Sequence, residues 1–130
     1  MKKDDARVEY LDVSSNLRHW NTLRFAELTI YIAMMGAMMN VAFAGGSDSP
    51  STFGVVVRAA GVLVSLLFWI LQERTMAWWY AFVHRASELE EVLGYKQYRR
   101  RPKGHRLTGR VAVRLLFIVI IVFWLVSLAI

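Results

Sequence analysis

Four charged side chains stand at the margins of two apolar blocks. Arg24 and Glu27 open the first; Glu73 and Arg74 close the second. Carboxylates and cations so placed either relay protons or ions, or lock two helices in register. A carboxylate at the edge of hydrocarbon is costly unless partnered. We therefore expect a charge latch, with Arg24 meeting Glu73 and Glu27 meeting Arg74, at the cytoplasmic boundary.

Arg58 is the ionisable residue inside the second apolar block. An ionisable group in that setting is a functional candidate by default. Two readings stand. The side chain snorkels outward, with Asp48 as its nearest acid, or several copies form a ring lining a pore that favours anions.

Met34, Met35, Met38 and Met39 make two Met-x-x-x-Met pairs. Thioethers bind Cu(I), and they also fill gaps between helices. The N-terminal segment has no Met or His cluster to feed copper, so gap filling is expected, with no metal and no other cofactor. His19, His84 and His105 lie in separate segments. With no cysteine, disulfides, thiolate metal sites and thiol nucleophiles are excluded. No serine–histidine–acid set or phosphate loop is present, so a non-enzymatic protein is expected.

The segment Tyr95–Arg110 reads YKQYRRRPKGHRLTGR. Arg100 and His105 have the Arg-x-x-x-x-His spacing of the HEPN ribonuclease motif, which a run of three arginines supplies by composition alone. Arg99, Arg100, Arg101, Lys103 and Arg106 are expected to bind anionic headgroups, at about 1 kcal/mol per cation near the surface. Nucleic acid is not an expected partner, because only Tyr95 and Tyr98 stand close enough to act as stacking platforms.

The elements that must position these groups follow from segregation of residue types. Apolar residues are 56% and charged residues 20% of 130, against about 45–50% apolar in soluble domains. Each apolar block approaches the roughly 20 residues that cross about 30 Å of hydrocarbon. The expected fold is all-α and integral to the membrane, with three transmembrane helices. The first two form an antiparallel hairpin, because the loop between them is short.

The net charge is +6. Lys2, Lys3, Arg7, Arg18 and Arg24 precede the first block, and a second basic group separates the second and third. The loop from Ala44 to Phe53 holds no Lys or Arg. The positive-inside rule then puts the N-terminus in the cytoplasm and the C-terminus outside, in a cell (inner) membrane. The first block begins only after a charge-rich segment of 24 residues, so it is expected to serve as its own insertion signal. The expected boundaries are a cytoplasmic amphipathic segment 1–24, a span 25–44, an external loop 45–52, a span 53–72, a cytoplasmic helical extension 73–94, a basic loop 95–110 and a span 111–130.

Small-x-x-x-small pairs let backbones approach in lipid. Ala33 and Ala37 are expected to pack on Gly61 and Ser65. Beyond the second block, Trp79, Phe82, Ala86, Leu89 and Leu93 recur in steps of three and four, a heptad-like seam, and Gly94 suits a left-handed helix cap. Val13, Leu17 and Trp20 form a matching stripe, expected to pack on Phe82, Leu89 and Leu93 as a helical stalk. Ser14-Ser15-Asn16 favours helix starts, which leaves a separate interfacial helix open. Trp20, Trp78, Trp79, Phe82, Leu89 and Leu93 are either stalk core or a partner surface. The third span lacks a small-residue face and is expected to be the most lipid-exposed, with Thr108 as its N-cap.

The stretch LQERTMAWWYAFVHRASELEEVLG, Leu71 to Gly94, resembles the cytoplasmic continuation of small bacterial multi-pass proteins. It is similar to effectors of the SLATT type and to CRISPR-associated transmembrane effectors. The shared cues are a span ending in Glu-Arg, an aromatic group, and Arg-x-x-x-Leu-Glu before a Leu-Gly stop. They cover about a fifth of the chain, which departs from those families by its third span and by lacking a sensor domain. The resemblance implies a self-assembling, membrane-disrupting effector. Two functions are therefore expected: a homo-oligomer with pore or effector action, or an accessory subunit that stabilises a larger membrane complex. The partners would be the bilayer with its anionic headgroups, other copies, or other membrane subunits.

Overall fold

The structure is a computed structural model that describes residues 3–44, 52–100 and 109–129. Among the described residues the regular elements are three helices: α1 (Lys3–Phe43), α2 (Thr52–Leu93) and α3 (Gly109–Ala129). Each is long and apolar enough to cross a membrane. Thr52, the last residue of the expected external loop, already belongs to α2; the rest of that loop, the basic cluster Arg101–His105, Arg106 and the Thr108 cap lie outside the described residues.

α1 runs unbroken through Ser14-Ser15-Asn16, so the N-terminal stripe is part of it and not a separate interfacial helix. Polar side chains that would compete with a helix bond within it here. Asn16 Nδ2 donates to Asp12 Oδ2 at 3.3 Å, and Thr22 Oγ1 donates to the Arg18 carbonyl at 3.1 Å. Asp4 and Asp5 occupy the first turn, where the helix dipole favours negative charge. α2 stops because Gly94 takes a φ of +79°, a conformation that glycine adopts without strain. The amides of Gly94 and Tyr95 both reach the Glu90 carbonyl, at 2.9 and 3.2 Å, closing the last turn.

The described helices fall into two compact units. One comprises Met1–Ala26 and Gln72–His105; the other comprises Glu27–Leu71 and Arg106–Ile130. In the first, Ala6, Tyr10, Val13 and Leu17 of α1 bury against Val83, Ala86 and Leu89 of α2, with Trp79, Phe82, Leu93 and Tyr98 packed beside them. The α1 residues follow steps of four, three and four, which keep one stripe facing its neighbour. Burying one aliphatic side chain is worth about 2 kcal/mol, so this seam, more than helix propensity, holds the pair. Partners run in opposite order along the two helices: Tyr10 meets Glu90, Trp20 meets Phe82, and Gln72 meets the Arg24 carbonyl.

In the second unit, Tyr31, Met35 and Ala42 of α1 form a core with Phe117 and Trp124 of α3, flanked by Val57, Val62, Val64, Phe68 and Trp69 of α2. Its outside is apolar: Ile30, Leu63, Leu67, Ile70 and Val119 are each more than half exposed. Most residues of α3 are exposed, but it also contributes to the core. Phe117 and Trp124 are fully buried: Phe117 lies between the rings of Tyr31 and Trp69, and Trp124 sits on the small residue Gly61 of α2. The lack of a small-residue face on α3 is met by one on its neighbour.

Candidate functional site

The polar centre of the second unit is built on two small residues of α2. A Cβ at Gly61 would stand 2.5 Å from ring atoms of Trp124, so the indole lies directly on the α2 backbone. One turn later, the fully buried Ser65 accepts the Tyr31 hydroxyl at 3.0 Å and donates to the Gly61 carbonyl at 2.7 Å. Trp124 Nε1 donates to Met35 Sδ at 3.4 Å, and Ser65 Oγ lies 3.7 Å from the same sulfur. The serine proton goes to a carbonyl and not to a base, so the geometry gives packing specificity and not a nucleophile.

The expected pairing of Ala33 and Ala37 with Gly61 and Ser65 needs correction. Gly61 and Ser65 are buried, but Ala33 and Ala37 are exposed. The small α2 residues receive Trp124, Tyr31 and Met35, because a large side chain fills a small-residue notch better than another methyl does. Ala37 lines a shallow groove of about 260 Å³ with Met38, Val41, Val56, Val57 and Ala60. Met38 and Met39 pack beside the core, whereas Met34 is exposed and fills no gap.

Arg58 is engaged inside the chain. Its Nη1 donates to the Ser127 carbonyl at 2.5 Å, and its guanidinium carbon sits 4.8 Å from the Phe43 ring centroid. The last carbonyls of α3 form the negative end of the helix dipole, which attracts a cation. Ser127 Oγ meanwhile donates to the Trp124 carbonyl at 2.8 Å. Arg58 Nε is buried without an acceptor. A cavity of about 240 Å³ opens beside it, lined by Phe43, Arg58, Phe123, Val126 and Ser127. The acid proposed from sequence, Asp48, lies outside the described residues.

Of the expected latch, Arg24, Glu73 and Arg74 belong to the first unit and Glu27 to the second. Arg24 lies 5.8 Å from the Trp79 ring centroid, and its carbonyl accepts from Gln72 Nε2 at 3.1 Å. Glu27 is buried, Glu73 half-buried and Arg74 exposed. An aromatic cluster fills out this end of the first unit. Trp20 stacks on Trp78 at 6.4 Å and 12°, with Phe82 against both. Leu89 is buried and Leu93 half-buried.

Sequence reasoning missed a highly connected group of the first unit. Glu90 is fully buried. Its carboxylate accepts from the Tyr10 hydroxyl at 3.1 Å and from the amides of Tyr98 and Arg99 at 2.9 and 3.1 Å. One side chain thus ties α1, the end of α2 and the start of the basic segment together. A signal was available: a helix dipole disfavours carboxylates in the last turn, so Glu90-Glu91 there requires other donors. Burial first, then the Glu90 hydrogen bond, pushes the Tyr10 phenol up to about 12. At the surface, Arg85 bridges Glu9 at 2.7 Å and Glu88 at 2.9 Å, and His84 approaches Glu88 at 3.2 Å. The hydrogen bond to Glu9, then the one to Glu88, raises the guanidinium further above its ordinary range.

Arg99 pairs with Glu91 at 2.9 Å, and Arg100 is exposed. Arg101, Lys103 and Arg106, the rest of the expected headgroup-binding set, lie outside the described residues. No protein-family model matches this chain, and neither a curated protein nor a solved structure matches it.

Proposed function

We propose that this chain is a three-span integral membrane protein that acts by helix association within the bilayer, chiefly with copies of itself, and not by catalytic turnover. In this reading α1 and α2 form an antiparallel hairpin. The N-terminus and the basic loop lie in the cytoplasm and the C-terminus lies outside. The apolar exterior of the second unit supports insertion, since soluble proteins rarely expose contiguous apolar surface on this scale.

The observation that carries self-association is the groove of Ala37, Met38, Val41, Val56, Val57 and Ala60. Its small residues are not covered by α3, and small residues on a lipid-facing surface admit close approach of another helix. Arg58 is held by Ser127 and Phe43, which favours association through packing over an arginine-lined conduit. Sedimentation in density-matched detergent tests the reading. Wild-type protein should run as an oligomer, and Ala37→Leu with Ala60→Leu should run as a monomer. A wild-type monomer at every concentration would overturn it. A reporter fused after Ile130 that is active only in the cytosol would reverse the orientation.

A second reading, an accessory subunit of a larger membrane complex, has its own support. Val8 and Leu11 are 69% and 61% exposed, outside the apolar block of α1, and exposed apolar residues there suit a protein partner. Affinity purification in mild detergent should then recover a stoichiometric second subunit, lost with Val8→Glu and Leu11→Glu. Recovery of the chain alone would remove this reading.

A further inference from the structure

We infer that the cleft at Arg58 is a phospholipid seat, with the lipid phosphate on the guanidinium and an acyl chain against Phe43, Phe123 and Val126. The inference rests on the proposed membrane insertion of the second unit and is independent of self-association. The cavity of about 240 Å³ has two polar contributors, Arg58 and Ser127, and otherwise apolar walls. Among the described residues no acid lines it, and the charge there is that of Arg58. The Ser127 carbonyl is already an acceptor for Arg58 and adds no donor.

Arg58 has capacity left for such a ligand. A guanidinium carries five N–H donors in a planar fork that matches phosphate oxygens in pairs. One goes to Ser127, and Nε is buried with no acceptor. An unsatisfied charged donor in apolar surroundings is costly, and a phosphate oxygen reached by a small rotation of the fork would relieve that cost. Arg58 lies six residues into α2, about 9 Å from its start at 1.5 Å per residue. A side chain at that depth reaches the headgroup level. The Phe43 and Phe123 rings, 6.0 Å apart between centroids, give a lipid tail a rigid apolar wall. A phosphate-bearing lipid satisfies both halves of this site. A free anion uses only the cation, and a diacylglycerol uses only the wall. Arg58 is the charged residue lining the cleft among the described residues, so a net-negative headgroup such as phosphatidylglycerol binds more tightly than a zwitterionic one.

The test is native mass spectrometry of delipidated full-length protein in detergent, offered phosphatidylglycerol, a diacylglycerol with the same tails, or inorganic phosphate. Wild type should retain phosphatidylglycerol and neither of the others. Arg58→Gln should weaken retention by roughly tenfold, the scale of one charge-assisted hydrogen bond. Arg114→Gln, which changes a cation on α3 away from the cleft, should not. A photoreactive phosphatidylglycerol should label Phe123 or Val126 in the wild-type chain, a readout that survives a misfolded variant. Equal retention by Arg58→Gln, equal binding of the diacylglycerol, binding of inorganic phosphate alone, or labelling confined to other helix faces would each overturn the inference. The same spectra report subunit number, so a lipid-bound monomer would refute self-association while leaving the lipid seat intact.

Discussion

Trp124 of α3 rests on Gly61 of α2 so closely that the glycine has no room for a methyl group: a Cβ there would meet the fused carbons of the indole at 2.5 Å. The indole is fully buried, and the atoms it presents belong to the rigid bicycle and not to the tip of a flexible chain. The third helix is thereby registered on the second.

Gly61→Ala should therefore destabilise the folded protein by about 1–3 kcal/mol through overpacking, read as a lower midpoint in a denaturing-detergent titration. Gly36→Ala is the matched control. Nothing lies within 4 Å of the Cβ it would add, and replacing a helical glycine should stabilise by up to about 1 kcal/mol. Equal effects at the two positions would show that Trp124 moves aside freely.

Ser65→Ala should cost about 1 kcal/mol, the usual worth of a hydrogen bond between helices in lipid. It leaves the Tyr31 hydroxyl without its 3.0 Å partner. Tyr31→Phe should cost a similar amount, and the double variant less than the sum, because both remove one interaction. Strict additivity in the same titration would show that the two groups act separately.

Glu90→Ala should cost about 3 kcal/mol, since it strands a phenol and two backbone amides at once. The local signature is hydrogen exchange at the amides of Tyr98 and Arg99. Exchange should accelerate by about tenfold or more relative to amides in mid-helix. Unchanged protection at those two positions would mean that the turn holds without the carboxylate.

Tyr10 gives the first unit an alkaline limit. Its phenol rises from 10.0 to about 12 on folding, so the folded state favours the neutral form. The stability this contributes, on the order of 2 kcal/mol, is present in full below pH 10 and is lost as pH rises from about 10 to about 12. The phenolate absorbance should show one late-titrating tyrosine outside the spans. Tyr10→Phe should remove both that step and the fall in melting midpoint across the same interval. A variant with an unchanged alkaline profile would assign the loss to other groups.

Residue patterning made some of this legible and concealed the rest. The stop after Leu93 could be read because Gly94 is a local signal, and the stripe Val13, Leu17, Ala86 and Leu89 could be read because heptad spacing repeats. Ala6 and Tyr10 extend that stripe but were not assigned to it. The continuity of α1 was ambiguous at Ser14-Ser15-Asn16, where propensity opposes what packing on either side requires. The role of α3 was hidden by its composition. A run of aliphatics hides the one tryptophan that matters, and the notch that receives it belongs to another helix. Small-residue spacing correctly marked Gly61 and Ser65 as places of close approach, but spacing says nothing of what approaches, and the occupants are Trp124, Tyr31 and Met35. Glu90 was overlooked because a single acid in a charged stretch carries no periodicity.

Met35 also constrains which replacements this chain tolerates. Exchanging methionine for leucine in a core is ordinarily mild, but here the sulfur is the acceptor for Trp124 Nε1. A hydrocarbon at position 35 would leave that indole proton stranded, so leucine should be tolerated there only alongside a residue other than tryptophan at 124. The two positions are coupled through that one contact, although each, viewed alone, is merely another greasy side chain.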